Sequence, residues 1–293
     1  MSLRTNPIFD PLRPFIRSVR YVLERPHLII WGLRKYLAPN LVLPVKLPSG
    51  QTWLARNDFL GSHTFCGTGF ENNEQLFIKN LLKPGMTVLD IGAHHGFYTL
   101  MASHLVGNTG KVISFEPSPR EMERLQKHLE INKCTNVEVI SFALGSSEGQ
   151  AELHVCPSRD AGLNSLRQPS VDIAIQKITV RLATLDTVIE EKHLDTIDFI
   201  KIDVEGGELE VFKGAKRLLS RTSKRPLILY EIQDVRTKAW GYKAKEAYDF
   251  LAEHNYQSCS VNEQGKLVPF PPLDEYDHNL VAVPNEQLAN FIN

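Results

Sequence analysis

Residues 87–99 read TVLDIGAHHGFYT. A short apolar run ends in Asp90, a turn follows with Gly92 and Gly96, and Phe97, Tyr98, Leu100 and Met101 return at helical spacing. Strand, tight turn and helix follow one another with no spacer. Glycines let a backbone come close to a ligand, and the first amides of a helix have no partner inside it, so the turn offers donors to polar or anionic groups. An ordinary strand-to-helix turn in an α/β protein would carry the same pattern.

The flanking sequence keeps alternating between the two periodicities. Glu71 to Leu82 reads as a helix stopped before Pro84-Gly85, with Glu74 in its first turn. Lys111 to Glu116 is a buried strand, Pro117 to Ile131 a helix capped by Ser118, and Val137 to Leu144 a third strand. After the turn at 145–149, strands at Ala151 to Val155 and Ile178 to Leu182 flank a polar loop with Arg159, Asp160, Asn164, Ser165 and Arg167. A connector of that length is where function often sits. A short helix, Leu185 to Glu191, precedes the strand Ile197 to Val204, the helix Glu208 to Leu219 and the strand Leu227 to Ile232. The helix Ala244 to Glu253 and strands at Tyr256 to Val261, Lys266 to Pro269 and Asn279 to Val283 complete the chain. Such alternation predicts an α/β fold: a Rossmann-like, doubly wound, mostly parallel sheet with its ligand beyond the carboxyl ends of the strands.

Residues 1–40 differ from the rest. Arg4, Arg13, Arg17, Arg20, Arg25, Arg34 and Lys35 outnumber Asp10 and Glu24, and they alternate with aliphatic and aromatic residues in two amphipathic helices broken near Pro26. This arm can dock on its own domain, on a second subunit as a homodimer, or as a peripheral contact on an anionic membrane. Leu43 to Arg56 reads as a hairpin turning at Pro48-Ser49-Gly50, so residues 1–60 form an arm and hairpin and 61–293 the main domain. Across 293 residues the chain is 42% hydrophobic and 23% charged with a formal net charge of −1, which gives no global sign of a nucleic-acid partner. Cys66, Cys134, Cys156 and Cys259 form no CxxC pair, which argues against a zinc site or redox motif and fits a reducing compartment; Asp203 and Glu231 could bridge a divalent metal, but no ligand spacing demands one and none is expected. With no apolar run of spanning length and no leader pattern, the expected location is cytoplasmic, at the inner face of a membrane if the arm docks there.

Asp90, Glu116, Asp203 and Glu231 each fall near the carboxyl end of a different predicted strand, so a parallel sheet would gather them on one edge. Glu116 follows Asp90 by one strand-helix-strand interval, where a carboxylate accepts the hydroxyls of an adenosine ribose. In order, VLDIGAHHGFYT, FEPSP, ALG, LDTV and DFIKIDVEGGELEVFKGA resemble the FkbM-type methyltransferases, a branch of the Rossmann-like (class I) enzymes that use S-adenosylmethionine. The resemblance spans Glu71 to Pro284 and is most specific in Thr87 to Pro119 and Asp198 to Ala215; at His94 that family more often has Asn.

The resemblance implies that Asp90 and the backbone of Gly92, Ala93, His94 and Gly96 hold the amino-acid tail of S-adenosylmethionine, with Tyr98 beside them. It also implies Glu116 at the ribose, Phe142-Ala143 at the adenine, and Asp203 facing the methyl group and the acceptor. That cofactor carries no phosphate, so an acid-lined cradle suits it. A nicotinamide dehydrogenase would want GxGxxG, and GAHHG lacks the middle glycine. The expected reaction is in-line methyl transfer to a hydroxyl of a sugar, glycolipid or secondary metabolite. Its base candidates are Glu231, then Asp203, Glu205 and His278; Glu205 could instead only cap the helix after it. A methyltransferase-like module that binds without turnover is the alternative from another class.

Overall fold

The computed structural model describes residues 26–292. Contacts divide these into two compact units, 26–45 with 54–70 and 46–53 with 71–292. In the first, helix α1 (Pro26–Leu37) starts at the proline expected to break the arm, and Trp31 packs 5.1 Å from Phe65 of helix α2 (Phe59–Cys66). The other arm helix expected from sequence lies outside the described residues. Strands β1 (Leu43–Lys46) and β2 (Thr52–Ala55) make the expected hairpin.

The second unit is built on an eight-stranded sheet. After α3 (Asn72–Leu81), strand β3 (Thr87–Ile91), α4 (Phe97–Val106), β4 (Lys111–Phe115), α5 (Pro119–Ile131) and β5 (Val137–Ile140) run outward in one direction. The chain then leaves for a small sheet of β6 (Ala143–Leu144), β7 (Gly149–Val155) and β8 (Gln176–Ala183) and continues through helix α6 (Leu185–Glu191). It re-enters at β9 (Phe199–Ile202), which pairs with β3 on the side opposite β4. Helices α7 (Glu208–Lys213) and α8 (Lys216–Leu219) lead to β10 (Leu227–Gln233) and then α9 (Asp234–Thr237). From α10 (Ala244–Glu253) the chain enters β11 (Tyr256–Val261), β12 (Leu267–Pro269) and β13 (Asp277–Pro284). The strand order is β12-β11-β13-β10-β9-β3-β4-β5.

Strands β5, β4, β3, β9 and β10 are all parallel, and β13 pairs antiparallel with β10. Helical crossovers between parallel strands are right-handed, so winding out from β3 in both directions puts helices on opposite faces and buries the sheet between them. Their residues are accordingly apolar in runs, with Leu89, Ile113, Ile200 and Ile228 all in one core. Between β3 and β9 the winding reverses, and the loops there open a crevice at the carboxyl edge.

Three local expectations need correction. Val137 to Leu144 is not one strand: the chain changes sheets after Ile140, and Ala143-Leu144 pairs with β8. The helix expected over Glu208 to Leu219 breaks after Lys213, and at the break Gly214 lies against the backbone of Gly145, where a Cβ would come within 2.0 Å of the Gly145 oxygen, so only glycine fits there. Ser118 occupies the cap position of α5 but makes no side-chain cap bond; its backbone N–H donates to Glu116 instead.

Candidate active site

The turn after β3 holds its shape through Glu116. One carboxylate oxygen accepts from the backbone N–H of His94 and the other from that of Ser118, each at 2.8 Å. The acid at the end of β4 thus clamps the loop at the end of β3. Burial pushes its carboxyl up to about 8 despite the two amide donors. Gly92 is obligatory, since its φ is +81° and a Cβ there would come within 1.8 Å of the Asp203 carbonyl oxygen. His94 has a φ of 50° and stacks on His95 with ring centroids 3.7 Å apart. Burial, then His95, holds the His94 imidazole well below its ordinary pKa.

Behind the loop is a network that sequence reading did not single out. His95 Nε2 and Glu121 Oε2 are 2.9 Å apart, and Arg124 Nη1 lies 2.9 Å from both. Burial would raise the Glu121 carboxyl, but His95 and Arg120 more than offset it and hold it near 2. His128 meets the His95 carbonyl at 2.7 Å and stacks on Trp53. The signal was present as an acid on the apolar side of α5.

Across the β3–β9 seam, Asp90 is in register with Lys201 on one side and Ser114 on the other. Thr99 donates to Asp90 Oδ2 at 2.5 Å. Lys201 is buried, donates to Asp203 at 2.6 Å and sits 5.1 Å from the centre of the Tyr98 ring. Burial alone would lower the pKa of this ammonium, but Asp203, Asp90 and Glu71 together hold it above its ordinary value. Tyr98 donates its hydroxyl to Glu71, so the face of its ring, not its oxygen, is turned to the cation. A lysine inside the apolar strand FIKI was the legible anomaly.

Asp203 and Glu231 each come one residue after the paired residues Ile202 and Tyr230, so the two carboxylates are neighbours on one edge. Donor oxygens of Asp203, Glu205 and Glu231 all lie within 4.8 Å of one another. Glu205 is not the cap of α7: Glu208 accepts from the amides of Val204 and Gly206, at 3.1 and 3.3 Å. Glu205 pairs instead with Arg236 at 3.0 Å, and burial followed by the Asp203 charge pushes its carboxyl up to about 8. Glu231 makes no side-chain hydrogen bond to a described residue, and burial with Asp203, Glu205 and Glu208 raises its carboxyl well above the usual range. Beside them a small cleft of about 30 Å³ is lined by Ser165, Arg167, Ser170, Glu205 and Arg236. It borders the polar loop flagged in the sequence.

Phe142 packs on the core under the Arg181 guanidinium, 4.6 Å from its ring, and Ala143 is buried in β6, paired with Leu182 of β8. His278 packs 4.8 Å from Phe270 and stands in β13 opposite Ile232, the residue after Glu231.

Residues 90–258, more than half of the chain, match the methyltransferase FkbM domain. The chain belongs to the FkbM methyltransferase family. Among curated relatives, the AMB antimetabolite synthetase AmbE of Pseudomonas aeruginosa is 24% identical over 74% of this chain and 12% of its own length. The 2-O-methyltransferase NoeI of Sinorhizobium fredii is 28% identical over 50% of this chain and 63% of its own. The hexuronic acid methyltransferase AglP of Haloferax volcanii is 25% identical over 44% and 50%. The chain therefore spans less than two thirds of each of these proteins.

FkbM methyltransferases use S-adenosylmethionine, and the residues of this FkbM domain fit that molecule. Asp90 Oδ1 and His94 Nε2 are buried with no hydrogen-bond partner among the described residues, next to a clamped loop. A carboxylate accepts about four hydrogen bonds, so Glu116, having taken two amides, retains capacity for two hydroxyls. Among the described residues, two groups of donors have spacing close enough for a metal ion: His94, His95 and Glu121, and Asp203, Glu205 and Glu231. In the first, Arg124 already stands against two of the three donors. Lys201 and Arg236 bring positive charge to the second.

Proposed function

We propose that this FkbM domain transfers a methyl group from S-adenosylmethionine to a hydroxyl of a sugar, glycolipid or secondary metabolite, with Glu231 as the general base. The observation that carries this reading is the cluster of Asp203, Glu205 and Glu231 at the edge beside the Gly92–Gly96 loop. NoeI and AglP, described as a 2-O-methyltransferase and a hexuronic acid methyltransferase, favour a sugar hydroxyl among these acceptors.

When bound, the cofactor supplies an activated methyl group on a positive sulfur. Asp90 and the loop amides would hold its amino-acid tail and Glu116 its ribose. The chain then has to align an acceptor oxygen and take its proton. Alignment falls to the cleft walls, Ser165, Arg167 and Arg236. Lys201 and Arg236 each engage one carboxylate, Asp203 and Glu205, which keeps those two oriented. Glu231, unengaged and with its carboxyl raised, is in its ionised form suited to accept the hydroxyl proton and retain it.

The test is formation of S-adenosylhomocysteine from S-adenosylmethionine with a panel of sugars and uronates. Glu231→Gln should lose ~10²–10⁴ in kcat while S-adenosylhomocysteine affinity is unchanged. Turnover retained near the parent rate in that variant removes Glu231 from the role. Binding of S-adenosylhomocysteine with no turnover on any acceptor would favour the non-catalytic module.

A further inference from the structure

Helix α1 is amphipathic in the opposite sense to a docked helix. At 100° per residue, Ile29, Ile30, Leu33, Tyr36 and Leu37 fall on one stripe about 120° wide. They are 38, 53, 55, 81 and 80% exposed. The side turned toward the rest of its unit carries Trp31, against Phe65, and the buried Arg34, whose guanidinium lies 4.4 Å over the Trp31 ring and donates to the Leu41 carbonyl. A guanidinium is thus kept inside while five large apolar side chains face out. Single exposed apolar residues are ordinary, but a stripe of five on one helix marks a surface made to be covered.

Charge identifies what covers it. Residues 1–40 hold seven Arg and Lys against Asp10 and Glu24, in a chain whose formal net charge is −1. Positive charge is therefore gathered on the segment that carries the apolar stripe. An anionic bilayer takes both features together: apolar side chains enter the headgroup boundary while lipid phosphates draw the cations. Tyr36 suits that boundary, with an apolar ring and a polar tip. The helix has twelve residues, and no helix among the described residues is long and apolar enough to cross a membrane, so it would lie in the plane of the surface.

We propose that α1 docks this protein on an anionic membrane surface through Ile29, Ile30, Leu33, Tyr36 and Leu37, with the six Arg and Lys of residues 1–40 other than the buried Arg34 supplying the attraction. The surface is separate in kind from the methyl-transfer reading and stands without it.

Flotation of the full chain with phosphatidylcholine vesicles, with and without phosphatidylglycerol, tests the proposal at low and high salt. The chain should float with the anionic vesicles only and be released by salt as the charges are screened. A Leu33→Ser/Tyr36→Ser/Leu37→Ser variant alters exposed positions only. It should keep its thermal midpoint and lose on the order of tenfold or more in bound fraction. The proposal is overturned by absence of flotation on anionic vesicles, by equal flotation on neutral ones, or by an unaffected variant. Sedimentation velocity and hydroxyl-radical footprinting of the free chain identify the rival occupants. A dimer made monomeric by the triple substitution, without vesicle binding, assigns the stripe to a second copy. Protection of the stripe in the free monomer assigns it to the chain's own residues.

Discussion

Two charged side chains decide how the site behaves, and neither acts alone. Lys201 is buried with Asp203 at 2.6 Å and with Asp90 and Glu71 close enough to hold its proton. Removing one partner of a buried pair leaves uncompensated charge and costs about 3–5 kcal/mol. Lys201→Met should therefore lower unfolding free energy by about that amount in denaturant titrations. Lys201→Met combined with Asp203→Asn should recover part of it. Glu116 gives a pH signature. Burial pushes its carboxyl up to about 8, while ribose hydroxyls would donate to the ionised form. A ligand that prefers the carboxylate lowers that pKa, so affinity should rise with pH from the neutral range and level off above about 8. Calorimetric titration with S-adenosylhomocysteine across this range, in buffers of different ionisation heat, should also detect proton release. Glu116→Gln should bind at least about tenfold more weakly, since hydrogen bonds to a charged group are worth about 1.5–3 kcal/mol. Its residual affinity should be flat in pH.

Strands, helices and their order were legible because the β3, β4, β9 and β10 segments are short apolar runs between glycine or polar breaks. The strand-end acids followed from that map. What was not legible depends on which backbone approaches which. The run VEVISFAL looks continuous, and only the packing of β6 on β8 shows that it is divided between two sheets. The break at Gly214 lies against Gly145, some seventy residues away in sequence, a contact that no local period can reveal. Lys201 was overlooked because attention to acids at strand ends hides a cation one pleat before them. Glycine substitutions separate local strain from such long-range contact. Gly50, in the hairpin turn, has a φ of +90° but nothing within 4 Å of a built Cβ. Gly50→Ala should cost about 1–2 kcal/mol for the left-handed conformation alone. Gly92→Ala adds a contact at 1.8 Å with the Asp203 carbonyl, which cannot yield without opening the β3–β9 seam. With overpacking of about 1–3 kcal/mol added, its denaturant midpoint should fall at least about one and a half times as far as that of Gly50→Ala.

At the scale of the whole chain, ligand binding and folding are linked through the second unit. The loops that would hold the cofactor join the central strands β3, β4 and β9, so a molecule seated there ties together the elements whose separation would open the sheet. Anything bound to the native state and not to the unfolded chain stabilises by about 2.7 kcal/mol at a concentration one hundred times its Kd. For units of this size a kilocalorie shifts the midpoint by roughly 2–4 °C, so saturating S-adenosylhomocysteine should raise the thermal midpoint by about 5–10 °C. NAD at the same concentration should raise it by less than a degree or so, because the turn lacks the middle glycine that a pyrophosphate wants. The variants sort the cause: Glu116→Gln should lose most of the ligand-dependent rise, and Glu231→Gln, at the edge where an acceptor would meet the site, should keep it. A rise that survives Glu116→Gln unchanged would mean that the carboxylate clamps its own loop through His94 and Ser118 and takes no part in holding the ligand.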